Sequence, residues 1–314
     1  MSTKCWNRKV LLALMQTEFR SSTQMNGSLF LIFAYSIWGL SPIFWKTVSH
    51  VSPFELLMHR TIWSFVLFLA MILIQRSGRE LYQVFISPKH IIILTITTLV
   101  LALNWYLFIW AVNTGNVLQT SLAYYINPLL IVFLGMTILK EKLQRFQIAA
   151  LIIAAAGVTY YTISLGEFPW ISIALAITFA IYSLIHKILR VPPLPGLCIE
   201  TFLLSIPASG FLFYFHCQGK GAAFNISMTT DFLLFGTSLL TGLPLLLFII
   251  GVKRSTLTMV GFMQYIAPCC SFLLAVFYYK EPFSKNTLIT FAMIWTALAI
   301  YSIDSLYQNR KPFR

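Results

Sequence analysis

The sequence predicts an all-α, polytopic membrane protein whose ten transmembrane helices form two inverted five-helix repeats. Three observations predict this fold: an apolar composition, ten long apolar segments, and a repeated pattern of proline and charge. Of the 314 residues, 58% are hydrophobic and only 10% are charged, and the mean hydropathy is +0.80. A soluble domain usually has about 25% charged residues. We therefore expect the chain to lie in a lipid bilayer, its first predicted partner.

The net charge of +13 would suggest a nucleic-acid partner in a soluble protein. Here the lysines and arginines lie in short clusters between long apolar segments, so they indicate orientation and we expect no nucleic-acid partner. The five cysteines form no Cys-x-x-Cys pair, and three lie within apolar segments, where free cysteine behaves as a small hydrophobic residue. We therefore expect no disulfide framework, no metal site and no cofactor.

Ten segments satisfy the length and composition of a transmembrane helix, which needs about 20 mostly apolar residues. They are residues 28–48, 54–75, 90–111, 117–139, 146–165, 169–186, 197–216, 231–250, 257–279 and 286–305. The connections are short and leave no room for a soluble domain. The longest, residues 217–229, contains two glycines and is predicted to be a flexible loop.

Positive charge predicts the side on which each loop lies, because cytoplasmic loops are enriched in lysine and arginine. With a cytoplasmic N-terminus, seventeen of the 22 lysines and arginines fall on the cytoplasmic side. We therefore expect both termini in the cytoplasm. Residues 1–24 are either a basic cytoplasmic tail or precede a true start at Met25, since their apolar patch is too short for a span or a signal peptide. Residues 309–314 are predicted to be a second basic tail.

An internal repeat with an offset of 140 positions links the two halves of the chain. Its clearest members are Tyr125, Pro128, Lys140 and Glu141, which recur as Tyr265, Pro268, Lys280 and Glu281. Proline and charged pairs are scarce in apolar segments, so hydrophobicity alone does not explain the match. Each repeat holds five spans, an odd number, so the second repeat enters the membrane inverted. We place the first repeat at residues 25–167 and the second at 168–308.

Inverted repeats are typical of transporters, because two equivalent packings of opposite orientation give inward-open and outward-open states of similar energy. The repeat therefore predicts alternating access. Pro128 and Pro268 lie in corresponding spans, where each removes a backbone hydrogen bond and can kink its helix around a central cavity. Alternatively, these prolines only ease the start of a helix. The Lys140–Glu141 pair and its counterpart are expected to mark the ends of spans.

Charged residues within spans are costly in lipid and usually face a cavity or a partner. Glu55 and His59 are four residues apart and share a helix face. A carboxylate beside an imidazole can carry a proton. We predict a proton-coupling or gating role for Glu55, His59 and Glu200, the last near the cytoplasmic start of the seventh span. The alternatives are an interfacial ion cluster that includes Arg60, or a pair of packing residues at the two ends of the bundle.

Aromatic side chains are dense where the first, third, fourth and ninth spans are expected to meet. Aromatic walls suit planar or cationic organic solutes through stacking and cation–π contacts, although many membrane tryptophans and tyrosines are interfacial anchors. The predicted substrate cavity is lined by Trp38, Lys46, Arg60, Asn104, Trp105, Tyr125, Asn127, Gln264 and Tyr265.

Several motifs resemble those of a known family. They are Phe33-Ala34-Tyr35-Ser36-Ile37-Trp38-Gly39, Glu55 with His59-Arg60-Thr61-Ile62-Trp63-Ser64, Asn104-Trp105, Tyr125-Ile126-Asn127-Pro128, Ile199-Glu200-Thr201 and Gln264-Tyr265-Ile266-Ala267-Pro268. Over residues 25–308 the chain is similar to RarD-like members of the EamA family, within the drug/metabolite transporter superfamily. The resemblance implies a ten-helix permease of the bacterial inner membrane. One departure is Ala267, which leaves Asn127 without a symmetric partner.

These observations together predict a secondary transporter of a small organic drug or metabolite, with proton-coupled efflux as the first hypothesis. The chain has neither the Gly-x-x-x-x-Gly-Lys-Ser/Thr loop of an ATP-driven pump nor the His-Glu-x-x-His motif of a metalloprotease. We therefore expect no enzymatic activity. Import or exchange of an amino acid or nucleotide-like metabolite is one alternative, and an intramembrane enzyme or receptor is another. A homodimer is possible.

Overall fold

The computed structural model describes residues 27–166, 168–219, 221, 227–280 and 284–310. All regular structure in these ranges is helical, and ten helices are long and apolar enough to span a membrane. The predicted fold class is therefore confirmed. The N-terminal segment, with its two interpretations, and all but the first two residues of the predicted C-terminal tail lie outside the described residues.

The ten long helices are numbered α1 to α10 in chain order. They are α1 (Gly27–Thr47), α2 (Pro53–Ile74), α3 (Pro88–Asn113), α4 (Val117–Thr137), α5 (Arg145–Leu165), α6 (Trp170–Ile188), α7 (Pro193–Cys217), α8 (Met228–Arg254), α9 (Leu257–Tyr278) and α10 (Lys285–Arg310). A short helix, Gly78–Phe85, connects α2 to α3. Pro53, Pro88 and Pro193 start their helices ahead of the predicted apolar segments, because proline is favoured in the first turn, where its missing N–H needs no partner.

The helices pack in the pseudo-two-fold arrangement that inverted repeats require. Equivalent helices of the two repeats contact each other, so that α2 packs on α7, α4 on α9 and α5 on α10. The contact of α4 with α6 has its counterpart in α9 with α1. At that second contact a Cβ added to Gly39 would lie 2.6 Å from the Cβ of Cys270, so only glycine permits the close approach. The core therefore lies between the repeats rather than within each one.

We call the end of the bundle at which α1 begins the near face, and the opposite end the far face. Because successive helices alternate in direction, α7 and α9 begin at the near face, whereas α4, α6 and α8 end there. Helix α2 begins at the far face.

Buried apolar side chains form two main clusters. The first cluster lies among α1, α2, α3, α6, α7 and α8, with one side of α4 and the start of α9, and it includes Tyr35, Tyr182 and Phe248. The second cluster lies among α4, α5, α9 and α10, and it includes Tyr125 and Tyr265. Helices α4 and α9 therefore separate one half of the interior from the other.

The two repeated prolines occupy different settings. Helix α4 continues through Pro128, which lies in its interior, where a proline removes a helical hydrogen bond. Helix α9 is interrupted at Tyr265, three residues before Pro268, which cannot donate a helical hydrogen bond to the Gln264 carbonyl. An interruption just before a proline within a span agrees with the kink interpretation, as does the setting of Pro128 inside α4.

Candidate functional site

A buried polar cluster surrounds Glu200, whose side chain lies in the middle of three helices and is only 1% exposed. The Tyr182 hydroxyl of α6 donates to Oε2 of Glu200 at 3.0 Å, and Nε2 of His186 lies 2.9 Å from Oε1. The Thr97 hydroxyl of α3 is also hydrogen-bonded to Oε1. We call Thr97, Tyr182, His186 and Glu200 the carboxylate cluster; it ties α3 and α6 of opposite repeats to α7.

The sequence of α6 explains how two of these partners reach Glu200. Tyr182 and His186 are four residues apart, so they lie on one face of the helix, and their rings are 4.4 Å apart. Glu200 lies seven residues after the first residue of α7, about 10 Å inside the bundle at 1.5 Å per residue. A carboxylate at that depth is costly in lipid unless it is hydrogen-bonded, and the cluster meets that requirement.

The predicted partner of Glu200 in the first repeat lies at a different depth. Glu55 is in the first turn of α2, where its backbone N–H donates to the Ser52 hydroxyl. Its Oε1 is 3.8 Å from Nε2 of His59, and both side chains are buried. Glu200 lies more than one turn further into its helix, seven residues after its first residue, which is the position that Arg60 has in α2. The two repeats therefore place a guanidinium and a carboxylate at equivalent depths.

A cationic site lies further along α3. The guanidinium carbon of Arg60, on α2, is 4.3 Å from the centre of the Trp105 ring. The buried Nε of Arg60 has no hydrogen-bond acceptor within the described residues. Trp105 follows Thr97 by eight residues on α3, so this site is about 12 Å from the carboxylate cluster along the helix axis.

Three amide side chains line the interface of α3, α4 and α9 with the opposite repeat. Asn104 donates to the Leu175 carbonyl at 2.9 Å and to the Thr178 hydroxyl at 2.8 Å, which ties α3 to α6. Asn127 donates to the Ala176 carbonyl at 2.7 Å, which ties α4 to α6. The buried Oδ1 of Asn127 and Oε1 of Gln264 have no donor within the described residues, so both offer acceptors to a bound solute.

The remaining predicted cavity residues are not brought together. Trp38 packs in the first cluster, with its ring centre 5.7 Å from that of Phe248. Tyr125 and Tyr265 lie in the second cluster, where the Tyr265 hydroxyl donates to the Tyr125 carbonyl at 3.2 Å. Lys46 is exposed at the far face, with Nζ 3.9 Å from the centre of the Tyr279 ring.

The near face is held closed by Glu141, which follows α4. Its Oε1 accepts the Leu257 backbone N–H at 2.7 Å, and its Oε2 accepts both the Thr258 backbone N–H at 2.8 Å and the Thr258 hydroxyl at 2.7 Å. A carboxylate at a helix N-terminus satisfies unpaired N–H groups and favours the helix dipole. Glu141 therefore caps α9 of the second repeat from α4 of the first.

Two lysines make a reciprocal tie at the same face. Lys187, at the end of α6, donates to the Ser255 carbonyl at 2.5 Å. Lys253, at the end of α8, donates to the Leu189 carbonyl. Cations near helix C-termini bind the last carbonyl groups favourably. With Glu141, these lysines close the near face through atoms of α4, α6, α8 and α9; we call the three side chains the near-face ties.

Comparison with known proteins decides the family of this chain. The profile of the EamA-like transporter family matches twice, at residues 25–163 and 169–303. The chain belongs to the EamA-like transporter family. The two matches correspond to the two five-helix halves of this EamA-like transporter, and the resemblance predicted from the sequence is confirmed.

Two similar proteins come from different bacteria. The uncharacterized transporter YojE of Bacillus subtilis is 39% identical over 288 residues, which cover 90% of this chain and 96% of YojE. Protein RarD of Escherichia coli is 38% identical over 285 residues, which cover 91% and 96% of the two chains. One solved crystal structure, 20% identical, matches with a TM-score of 0.69 and covers 92% of this EamA-like transporter and all of its own chain. That likeness supports the fold alone.

Sequence reasoning missed the partners of Glu200 in this EamA-like transporter. Neither His186 nor Thr97 is among the residues predicted for the site. A usable signal is present in the sequence, because Tyr182 and His186 have helical spacing and the pair Tyr182-Ser183 repeats the pair Tyr35-Ser36 of the first span. The sequence did not give the rotation of α6 about its axis, which brings both side chains to Glu200.

Proposed function

We propose that the protein is a proton-coupled secondary transporter that moves a small organic drug or metabolite by alternating access, with no chemical change to the solute. The observation that carries this proposal is the carboxylate cluster. It places a buried Glu200 in hydrogen-bonding contact with His186 at the contact between the two repeats. A site that binds and releases a proton there would alter the contact that has to change during transport.

Thr97 supports a role in both protonation states of Glu200. Its hydroxyl lies within hydrogen-bond distance of the Glu200 carboxylate and 2.9 Å from the Leu94 carbonyl. An ionised Glu200 accepts a hydrogen bond from Thr97, whereas a protonated Glu200 donates to Thr97, which then donates to the Leu94 carbonyl. His186 can likewise accept or donate through Nε2. Neither state leaves a buried group of the cluster without a partner.

Alternating access is supported by the hydrogen bonds at the near face. Glu141 joins the first repeat to the second, and Lys187 and Lys253 join α6 to α8 within the second repeat, in each case through main-chain atoms. Opening of the near face requires these bonds to break, and inverted repeats supply a second packing of comparable energy. We further propose that the repeats extend over residues 25–167 and 168–308, and that Pro128 bends α4 at the middle of the bundle.

The orientation follows from the positive charge. Lys187 and Lys253 lie at the near face, as do Lys140 and Arg254, so by the positive-inside rule this face is cytoplasmic. Both termini are then cytoplasmic, and the bacterial inner membrane is the membrane that we propose, in line with the resemblance to RarD-like proteins. Export of the solute from the cytoplasm is our first direction to test.

Flux in proteoliposomes tests the proposal. The purified protein is reconstituted and a labelled panel of amino acids, nucleosides and chloramphenicol-like aromatics is tested with and without a pH gradient. We expect uphill accumulation of one solute class driven by the gradient, and loss of that coupling in the Glu200→Gln variant at normal expression. Glu55→Gln tests the predicted role of the second carboxylate in the same assay.

Exposed Glu80 on the connecting helix gives a matched control, and we expect Glu80→Gln to keep both rate and coupling. Flux that occurs only with a related solute on the opposite side would identify an exchanger and remove the proton-coupling role of Glu200. A chemically altered product would identify an enzyme, and no flux of any solute would contradict the proposed function.

A further inference from the structure

Arg60 is a cation within the membrane-spanning part of the bundle. It lies seven residues after the first residue of α2, about 10 Å from the start of that helix at the far face. The ion pairs among the described residues are His59–Glu55 and His186–Glu200, and neither includes Arg60. Its buried Nε also has no hydrogen-bond acceptor there. A cation at such a depth needs a counter-anion or open water.

Two aromatic side chains flank Arg60. Its guanidinium carbon lies over the ring of Trp105. The guanidinium is also near enough to the phenol of Tyr124, on α4, to interact with it electrostatically. Tyr124 is 48% exposed, although its neighbours Ala123 and Tyr125 are buried. Helix α2 packs mainly on α7 and α8, and α4 mainly on α6 and α9, so α2 and α4 are not closely packed, and a gap between them beside Arg60 accounts for the exposure of Tyr124.

The geometry points to a substrate carboxylate as the missing partner of Arg60. We propose that the solute is an organic anion with an apolar body, whose carboxylate is bound in the gap by the guanidinium of Arg60. This inference rests on the proposed function, because it names the substrate class of the same transporter.

The donor groups of the Arg60 guanidinium match the geometry of a carboxylate. The unpaired Nε–H and a neighbouring Nη–H form the edge that binds a carboxylate with two parallel hydrogen bonds. The contact with the Trp105 ring restricts the movement of the guanidinium, which favours binding of an anion at its edge. An apolar solute body would then contact the rings of Trp105 and Tyr124.

Two other solute charges fit less well. A cationic solute, one of the classes expected from the aromatic residues, would have to approach Trp105 beside the charge of Arg60 and would be repelled. A phosphate monoester carries close to two negative charges at neutral pH, whereas the guanidinium of Arg60 supplies one positive charge. A singly charged carboxylate matches one guanidinium.

Four indole compounds test the substrate class, because they share one ring system and carry side chains of different charge. Indole-3-propionate has a carboxylate, tryptamine an ammonium, tryptophan both and 3-methylindole neither. Binding to the purified full-length protein is measured as the concentration dependence of the shift in Tm, and the same assay is applied to each solute that the flux panel identifies. We expect binding of the carboxylate compounds and no binding of tryptamine or 3-methylindole.

Variants of Arg60 give the second readout. Loss of a hydrogen bond to a charged group weakens binding by roughly 10- to 100-fold, so we expect this loss for Arg60→Gln with any solute that binds. Arg60→Lys keeps the charge but not the fork, and we expect an intermediate loss. Exposed Arg79 on the connecting helix supplies the matched control, because Arg79→Gln removes the same charge far from the gap. Size-exclusion profiles and the ligand-free Tm show that each variant is folded.

The outcomes separate this inference from the proposed function. Binding or flux of an amine or neutral solute that is unchanged in Arg60→Gln would leave the transporter in place and overturn the carboxylate. Carboxylate binding that survives in Arg60→Gln would also overturn it. No binding and no flux of any solute would contradict the proposed function, and this inference would fall with it.

Discussion

Replacement of Glu200 by alanine and by glutamine separates the hydrogen bonds of the carboxylate cluster from its charge. Glutamine keeps an acceptor for the Tyr182 hydroxyl and can donate to a neutral His186, so we expect Glu200→Gln to change the free energy of unfolding by less than about 1 kcal/mol. Alanine leaves the Tyr182 hydroxyl and Nε2 of His186 buried without a partner. Thr97 loses less, because its hydroxyl keeps the Leu94 carbonyl.

The magnitude for alanine follows from these two groups. Each unsatisfied buried polar group costs about 1–3 kcal/mol, so the sum is about 2–6 kcal/mol. Measured hydrogen bonds between transmembrane helices average only about 0.6 kcal/mol, because groups unfolded within the membrane also find partners. We therefore expect Glu200→Ala to lower the free energy of unfolding by about 2 kcal/mol.

Equilibrium unfolding in mixed micelles measures both variants, with Glu80→Ala as a control because Glu80 is exposed. If Glu200→Gln destabilises the protein as much as Glu200→Ala does, the charge of Glu200 matters more than its hydrogen bonds, and our reasoning about the cluster is wrong. If neither variant has an effect, the cluster does not tie the helices together.

Three further predictions concern contacts between helices. Glu141→Ala removes the cap of α9, so we expect it to lower the free energy of unfolding by about 1–2 kcal/mol in the same assay, and Glu141→Gln to lower it by less. An equal loss in the two variants would contradict capping through hydrogen bonds. Gly261→Ala places a Cβ 2.6 Å from the Pro128 carbonyl oxygen, so we expect overpacking to lower the free energy of unfolding by about 1–3 kcal/mol. An unchanged free energy of unfolding would mean that α4 and α9 lie further apart than in this structure. Lys253→Met removes the donor to the Leu189 carbonyl. We therefore expect a cysteine introduced at Ser255 to be labelled faster in the Lys253→Met protein than in a protein that keeps Lys253. Equal labelling rates would show that this tie does not close the near face.

The membrane fold was accessible from the sequence because its signals are long and repeated. Each apolar segment had to be about 20 residues long, and the offset of 140 between Pro128 and Pro268 related the two halves. The ends of the helices were less certain. Prolines such as Pro193 begin helices in polar surroundings, where hydrophobicity gives no signal.

The site was only partly predictable, because it depends on rotations and contacts between distant segments. Glu200 stood out as a charge in an apolar span, but its contact with His186 depends on how α6 and α7 face each other. Glu141 was expected only to mark the end of a span, whereas it caps α9 more than 100 residues later in the chain. Tyr125 and Trp105 were expected to share one cavity, and the structure places them in different clusters. The functional roles predicted for these residues stay predictions.

The near-face ties bind main-chain atoms of the helix opposite, and this has a consequence for tolerance to sequence change. Every residue supplies a backbone carbonyl, and every residue except proline supplies a backbone N–H, so most substitutions of Leu257, Leu189 or Ser255 leave the partner atom in place. These three residues are buried, so packing still limits their side chains, whereas the hydrogen bonds themselves depend on the side chains of Glu141, Lys187 and Lys253 alone. A deep mutational scan would then record tolerance of side chains of similar size at the three facing positions and intolerance at the three tie positions, and related transporters could differ in their facing segments while sharing the same seal.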